Sequence, residues 1–148
     1  MKEALERIAS FNVDHNKLLP GLYLSRRDGD AVTFDLRFKR PNTGDLLSNS
    51  EMHSAEHLIA TLLRNSPQKD AVIYFGPMGC QTGFYFVFDG RLLSLAGAVD
   101  LMKEVFAAAG AFSGEMPGKS AAECGNFRNL DVDTGRAVCK WYADLIAD

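Results

Sequence analysis

From Ala31 to Phe38 apolar and polar residues alternate with a period of two: Val32, Phe34, Leu36 and Phe38 fall on one side, Thr33, Asp35 and Arg37 on the other. That is the pattern of a half-buried strand. The preceding run Leu22-Tyr23-Leu24, after Pro20-Gly21, leads into it through the turn signal Asp28-Gly29-Asp30, so the two runs predict a hairpin closed by Pro41-Asn42. Two further short aromatic and β-branched runs, Ala71 to Phe75 and Gly83 to Phe88, flank the loop Gly76-Pro77-Met78-Gly79-Cys80-Gln81. Helical spacing takes over elsewhere. A capping box, Ser48 with Glu51, opens a helix that continues to Asn65 and is stopped by Ser66-Pro67. A second helix is predicted over Leu92 to Ala111, with Leu95, Val99, Met102 and Phe106 in step. A third is predicted over Leu130 to Asp148, with Val138, Trp141, Tyr142 and Leu145 on one face. The start, Met1 to Ser10, reads as a short amphipathic helix, and Phe112 to Asn129 has little periodicity, which in a compact domain points to functional or partly helical chain.

The best-marked strand pairs are local hairpins and the helices follow no regular βαβ alternation. These signs predict an α+β fold, an antiparallel β-sheet with helices packed on one face. The chain has 148 residues, without repeat or linker-like tract, which predicts a single domain over 1–148.

Composition adds mainly exclusions. Hydrophobic residues at 47% and charged residues at 24% are globular values, and 16 basic against 19 acidic residues leave a net charge of −3, which argues against a nucleic-acid partner. No run approaches the ~18 apolar residues of a membrane span, and no secretory leader is evident, so a cytoplasmic protein with no membrane partner is expected. Three cysteines fit a reducing compartment better than a disulfide framework.

The chemistry sits in those three cysteines and in three histidines. On the first long helix Met52, Ala55, Ile59 and Leu62 or Leu63 form a core stripe, while His53, Glu56, His57, Ala60 and Arg64 form a second stripe at the same spacing. His53 and His57, one turn apart, can hold one metal ion, and His53-Ser54-Ala55-Glu56-His57 is the H-x-x-E-H pattern of inverted-motif zinc peptidases, with glutamate as base. Two solvated helix histidines are the plainer reading. A catalytic ion also needs a third protein ligand, which His15, a cysteine or a carboxylate could supply. Cys124, in Glu123-Cys124-Gly125-Asn126, could reach the helix or be a buried structural thiol. Cys80 reads equally as a turn residue or as a reactive group presented by a loop. Cys139 reads as packing, Arg37 as one half of an ion pair on the polar face of its strand, and His15 as a surface turn residue.

Several blocks in order along the chain carry a resemblance: Ser10-Phe11-Asn12-Val13-Asp14-His15, Phe34 to Phe38 with Pro41-Asn42, His53 to Leu58, Pro77-Met78-Gly79-Cys80-Gln81-Thr82-Gly83-Phe84-Tyr85, and Pro117-Gly118 leading to Glu123-Cys124-Gly125-Asn126. Together they resemble the LuxS family of S-ribosylhomocysteine lyases. The resemblance implies cleavage of S-ribosylhomocysteine to homocysteine and 4,5-dihydroxy-2,3-pentanedione, the autoinducer-2 precursor, by carbonyl migration along the ribose and β-elimination. It implies a homodimer with active sites at the interface and one divalent metal per subunit, Fe²⁺ in cells with Zn²⁺ or Co²⁺ as substitutes. His53, His57 and Cys124 would be the metal ligands, Glu56 and Cys80 the acid/base pair, and Ser10, His15 and Arg37 substrate contacts. Tyr74 and Gly76 depart from the family pattern, which usually has an acidic residue and a serine there. The competing function is a zinc metallopeptidase built on the same H-x-x-E-H helix.

Overall fold

A computed structural model describes residues 14–148. Ser10 and the expected helix over Met1 to Ser10 lie outside the described residues. The first two strands, β1 (Gly21–Asp28) and β2 (Ala31–Arg37), form the predicted hairpin, and β3 (Val72–Pro77) and β4 (Gly83–Asp89) form a second. The two hairpins join through β2 and β4 into one antiparallel sheet of order β1-β2-β4-β3. Among the described residues three α-helices accompany it: α1 (Asn49–Arg64), α2 (Leu95–Gly110) and α3 (Val132–Ile146). The α+β class is as the sequence pattern predicts.

One face of the sheet makes the core. Phe34, Phe84, Phe86 and Phe88 are buried there with Phe75 and Phe106, and ring pairs such as Phe34–Phe88 and Phe38–Phe84 meet edge to face at about 5 Å. Replacing any of these rings by alanine would cost about 3–5 kcal/mol. Phe38, just past β2, stacks on Tyr142 of α3 at 4.1 Å between centroids, and the Tyr142 hydroxyl donates to the Gly21 carbonyl at 2.8 Å. That donor is therefore satisfied although the residue is fully buried.

The helix starts are set by capping. Ser48 Oγ accepts from Glu51 N at 3.1 Å while Ser48 N donates to Glu51 Oε1 at 2.8 Å, which completes the predicted box. Ser94 and Asp131 cap the other two, so α2 begins at Leu95 and α3 at Val132, later than the apolar spacing alone suggests. On α3 the expected buried face needs correction: Trp141 is 47% and Leu145 41% exposed, whereas Gly135, Val138, Cys139, Tyr142 and Ile146 are buried. Small residues let α3 approach its neighbours closely, and the bulkiest side chain stays outside.

The second correction concerns the polar side of β2. Asp35 is 9% and Arg37 4% exposed, so these residues do not form a solvated stripe. Arg37 Nη2 donates to Asp35 Oδ2 at 2.9 Å, the ion pair anticipated from spacing, but in a dry setting.

Candidate metal centre and the Cys80 loop

Helical geometry carries His53, Glu56 and His57 to one side of α1, and the ring centroids of the two histidines lie 4.7 Å apart, nearly perpendicular. The third group comes from the poorly periodic stretch. Ser120 nucleates a turn there: Cys124 N donates to the Ser120 carbonyl at 3.0 Å, and Ser120 Oγ donates to Glu123 Oε1 at 2.7 Å. This turn places Cys124 Sγ 3.2 Å from His53 Nε2. One ligand atom each from His53, His57 and Cys124 then lie within 4.8 Å of one another. Tetrahedral Zn–N and Zn–S bonds require ligand atoms roughly 3.3–3.8 Å apart, so the donor set fits a single divalent ion with small side-chain adjustments.

Both imidazoles are aimed from behind. His53 Nδ1 is hydrogen-bonded to Asn129 Oδ1, and His57 Nδ1 donates to the Pro117 carbonyl at 2.8 Å. With the proton held at Nδ1, each ring offers its Nε2 lone pair as a ligand. Asn129 is itself fixed, since its carbonyl accepts from Ser50 Oγ at 2.6 Å. Gly118 has φ +71°, and a Cβ there would lie 2.9 Å from His57 Nδ1, so both the backbone turn and the room for the ring require glycine. Asn129 and the Pro117 carbonyl were not legible in the sequence, because a backbone carbonyl carries no residue signature and Asn129 lies in no periodic pattern.

Glu56 and His57 line a cleft of ≈ 250 Å³ with Ala60, Thr61, Phe75, Pro117 and Gly118. Phe75 reaches it from the helix-covered side of the sheet. Its neighbours Tyr74 and Gly76 face the other side, opposite Val87 and Tyr85 in the β3–β4 register. Asp35 is the partner of Tyr85 on β2, and Arg37 stands opposite Gly83.

Cys80 belongs to this second group. It is exposed, and its sulfur lies 2.9 Å from Thr82 Oγ1. Burial pushes the Tyr85 phenol up, and so do the adjacent Asp35 carboxylate and, less strongly, Cys80, while Arg37 pulls it down; Tyr85 thus senses all three groups. The structure therefore brings His53, His57 and Cys124 together with Glu56 alongside, and separately groups Cys80, Arg37 and Asp35 around Tyr85. His15 is half-buried in a 3-10 turn (His15–Lys17) after Asp14. Cys139 is buried, and desolvation pushes its thiol up to about 12, in keeping with a packing role.

The two departures, Tyr74 and Gly76, are physically coupled. A Cβ at Gly76 would fall 2.0 Å from Tyr74 Oη and 2.4 Å from Cζ, so the phenol ring lies over the glycine. Gly76 has an ordinary negative-φ backbone, and glycine serves there for space alone.

An antiparallel α+β layer with two histidines of an H-x-x-E-H helix and one thiol placed to hold a single ion fits the class of proteins with a mononuclear metal site. The family model described as S-ribosylhomocysteinase (LuxS) matches residues 8–147. The chain belongs to the LuxS family. It is 50% identical to the S-ribosylhomocysteine lyase of Desulfotalea psychrophila over 148 aligned positions, covering 96% of this chain and 92% of that protein. Similar coverage, 96% and 92%, accompanies 46% identity to the Clostridium beijerinckii and 43% to the Finegoldia magna S-ribosylhomocysteine lyases.

Proposed function

We propose that this chain is a divalent-metal-dependent lyase that cleaves S-ribosylhomocysteine to homocysteine and 4,5-dihydroxy-2,3-pentanedione. The observation that carries the reading is the meeting of His53, His57 and Cys124 beside Glu56, in a chain of the LuxS family. When bound, the ion would act as a Lewis acid toward the sugar's oxygens, with Fe²⁺ the cellular metal and Zn²⁺ or Co²⁺ able to replace it. Glu56 and Cys80 move protons between carbon and oxygen as the carbonyl migrates along the ribose. In the elimination, a proton leaves the carbon beside the carbonyl, the C–S bond of the next carbon breaks, and homocysteine departs as a thiol. No external oxidant or reductant is consumed. Arg37, His15 and Ser10 hold the substrate.

The working unit in this reading is a cytoplasmic homodimer of single-domain subunits, with each site shared. Two observations support sharing. The cleft beside Glu56 and His57, ≈ 250 Å³, is below the roughly 300–1,000 Å³ of ordinary ligand pockets. In addition, the Cys80–Arg37–Tyr85 group lies on the helix-free side of the sheet, where Tyr23 and Tyr74 are exposed, so a second copy can seat there. Among the described residues no helix is long and apolar enough to cross a membrane. The peptidase alternative is not favoured: it would normally take a carboxylate or histidine as third ligand and would leave Cys80 idle.

The decisive experiment follows free-thiol release from S-ribosylhomocysteine with reduced, metal-loaded protein. Stoichiometric homocysteine supports the reading. Absence of thiol release, with cleavage of a peptide library, would replace it by the peptidase.

A further inference from the structure

The loop that carries Cys80 is tied down by backbone hydrogen bonds on both sides of the cysteine. Met78 N donates to the Gly83 carbonyl at 2.8 Å and Gln81 N to the Met78 carbonyl at 3.1 Å. Gln81 takes the left-handed φ of 64°, and its carbonyl and side chain exchange hydrogen bonds with Leu47 at 2.9 and 3.1 Å, just ahead of the α1 cap. The Thr82 carbonyl accepts from both Phe38 N and Lys39 N, at 2.8 and 3.0 Å. The left-handed residue between them turns Cys80 and Thr82 to the same side.

Within this frame Thr82 is an unusual residue. It is 2% exposed, while Cys80 beside it is open to solvent. A buried hydroxyl needs a partner, and here the Cys80 sulfur, at 2.9 Å, serves. Its β-branched side chain has few rotamers, so the fixed backbone also fixes where the hydroxyl points. When the sulfur carries a proton, either atom can donate; when the sulfur is ionised it can only accept, and the hydroxyl must be the donor. A hydrogen bond to a charged acceptor is about twice as strong as a neutral one.

We propose that Thr82 is a positioning residue for the reaction: its hydroxyl donates to the Cys80 sulfur and aims it out of the loop toward the sugar. This rests on Cys80 acting as a proton carrier, and the test separates the two claims. Metal-loaded, reduced protein is compared as wild type, Thr82→Val, which keeps the shape without the hydroxyl, and Thr82→Ser, which keeps the hydroxyl. The readouts are iodoacetamide alkylation of Cys80 at pH 7, followed by peptide mass, and kcat and KM for thiol release, with melting temperature and metal content as checks.

In Thr82→Val, alkylation should slow about three- to fivefold, because the sulfur is no longer held pointing out of the loop. The kcat should fall about tenfold with KM within twofold and metal content unchanged, and Thr82→Ser should recover most of both rates. Equal alkylation of wild type and Thr82→Val overturns the inference, and so does a Thr82→Ser variant as slow as Thr82→Val. If Thr82→Val melts below the assay temperature, Thr82→Ala is read in the same way. Wild-type protein that releases no thiol, yet shows the Val-slow, Ser-fast alkylation pattern, would sink the lyase reading and leave the hydrogen bond standing.

Discussion

The His53–His57–Cys124 cluster and the Cys80 loop hold their reactive atoms by opposite means. In the cluster, rigidity comes from a helix, and the side chains are then aimed from behind by Asn129 and the Pro117 carbonyl. In the loop, rigidity comes from backbone hydrogen bonds to three separate segments, and one side-chain hydroxyl does the aiming. The cluster is thus sensitive to changes several residues away in space, because its parts arrive from distant stretches of chain. The loop depends on distant stretches too, but on their backbone at Phe38, Lys39 and Leu47 and not on their side chains. Two different kinds of support thus stand side by side on one fold, touching where Gln81 binds Leu47 just ahead of α1.

The two regions should differ most when one thiol is removed from each. Cys124→Ala should lose bound metal and turnover together, whereas Cys80→Ala should keep its metal and lose turnover by about a thousandfold or more. Elemental analysis beside the thiol-release assay reads both; metal retained in Cys124→Ala would break the ligand assignment. Next in size, Asn129→Ala and Gly118→Ala should each weaken metal binding by about 10–100-fold through loss of imidazole aim, while Cys80 alkylation stays at the wild-type rate. A chelator competition series gives the affinity, and a parallel drop in Cys80 alkylation would show that the two regions are not independent.

A smaller effect is expected where Tyr74 covers Gly76. Gly76→Ala should lower the melting temperature in the wild-type background and have little effect in Tyr74→Ala, since the obstructing atoms belong to the tyrosine ring. Equal shifts in both backgrounds would mean that the ring is not what fills the space. The three thiols also sort by exposure: native protein should alkylate at Cys80, whereas Cys139 reacts only on unfolding. Because the folded Cys139 thiol is pushed up to about 12, its contribution to stability is complete below the ordinary thiol value and declines as pH rises from there toward about 12.

The smallest expected effect is at the α3 cap. Hydrogen bonds from the Thr134 side chain and backbone hold the Asp131 carboxyl below its usual range. A depressed carboxyl stabilises the fold above its ordinary value, and that contribution is lost as pH falls through the lower, folded value. Thermal melts at pH 7 and pH 3 should converge slightly in Asp131→Asn relative to wild type; an unchanged pH difference would remove this role.

The strands, the α1 capping box and the histidine pair were legible in the sequence because each follows from a local period or a short spacing. Cys124 was legible only as one of several candidates able to reach the helix, since nothing local says that it will fold back onto α1; the resemblance singled it out. Asp35 and Arg37 illustrate another limit. Their alternation correctly placed them on the polar side of β2, but whether that side is wet depends on Tyr23, Tyr85 and other neighbours arriving from elsewhere. On α3 the error ran the other way, because Trp141 weighs heavily in any hydrophobic pattern while close helix packing favours small residues such as Gly135.

The phenol of Tyr74 can lie over position 76 only while that position carries no side chain. The ring is half exposed and free to swing aside, so a relative carrying a phenol at position 74 with a bulkier residue at position 76 is expected to hold that phenol in a different orientation.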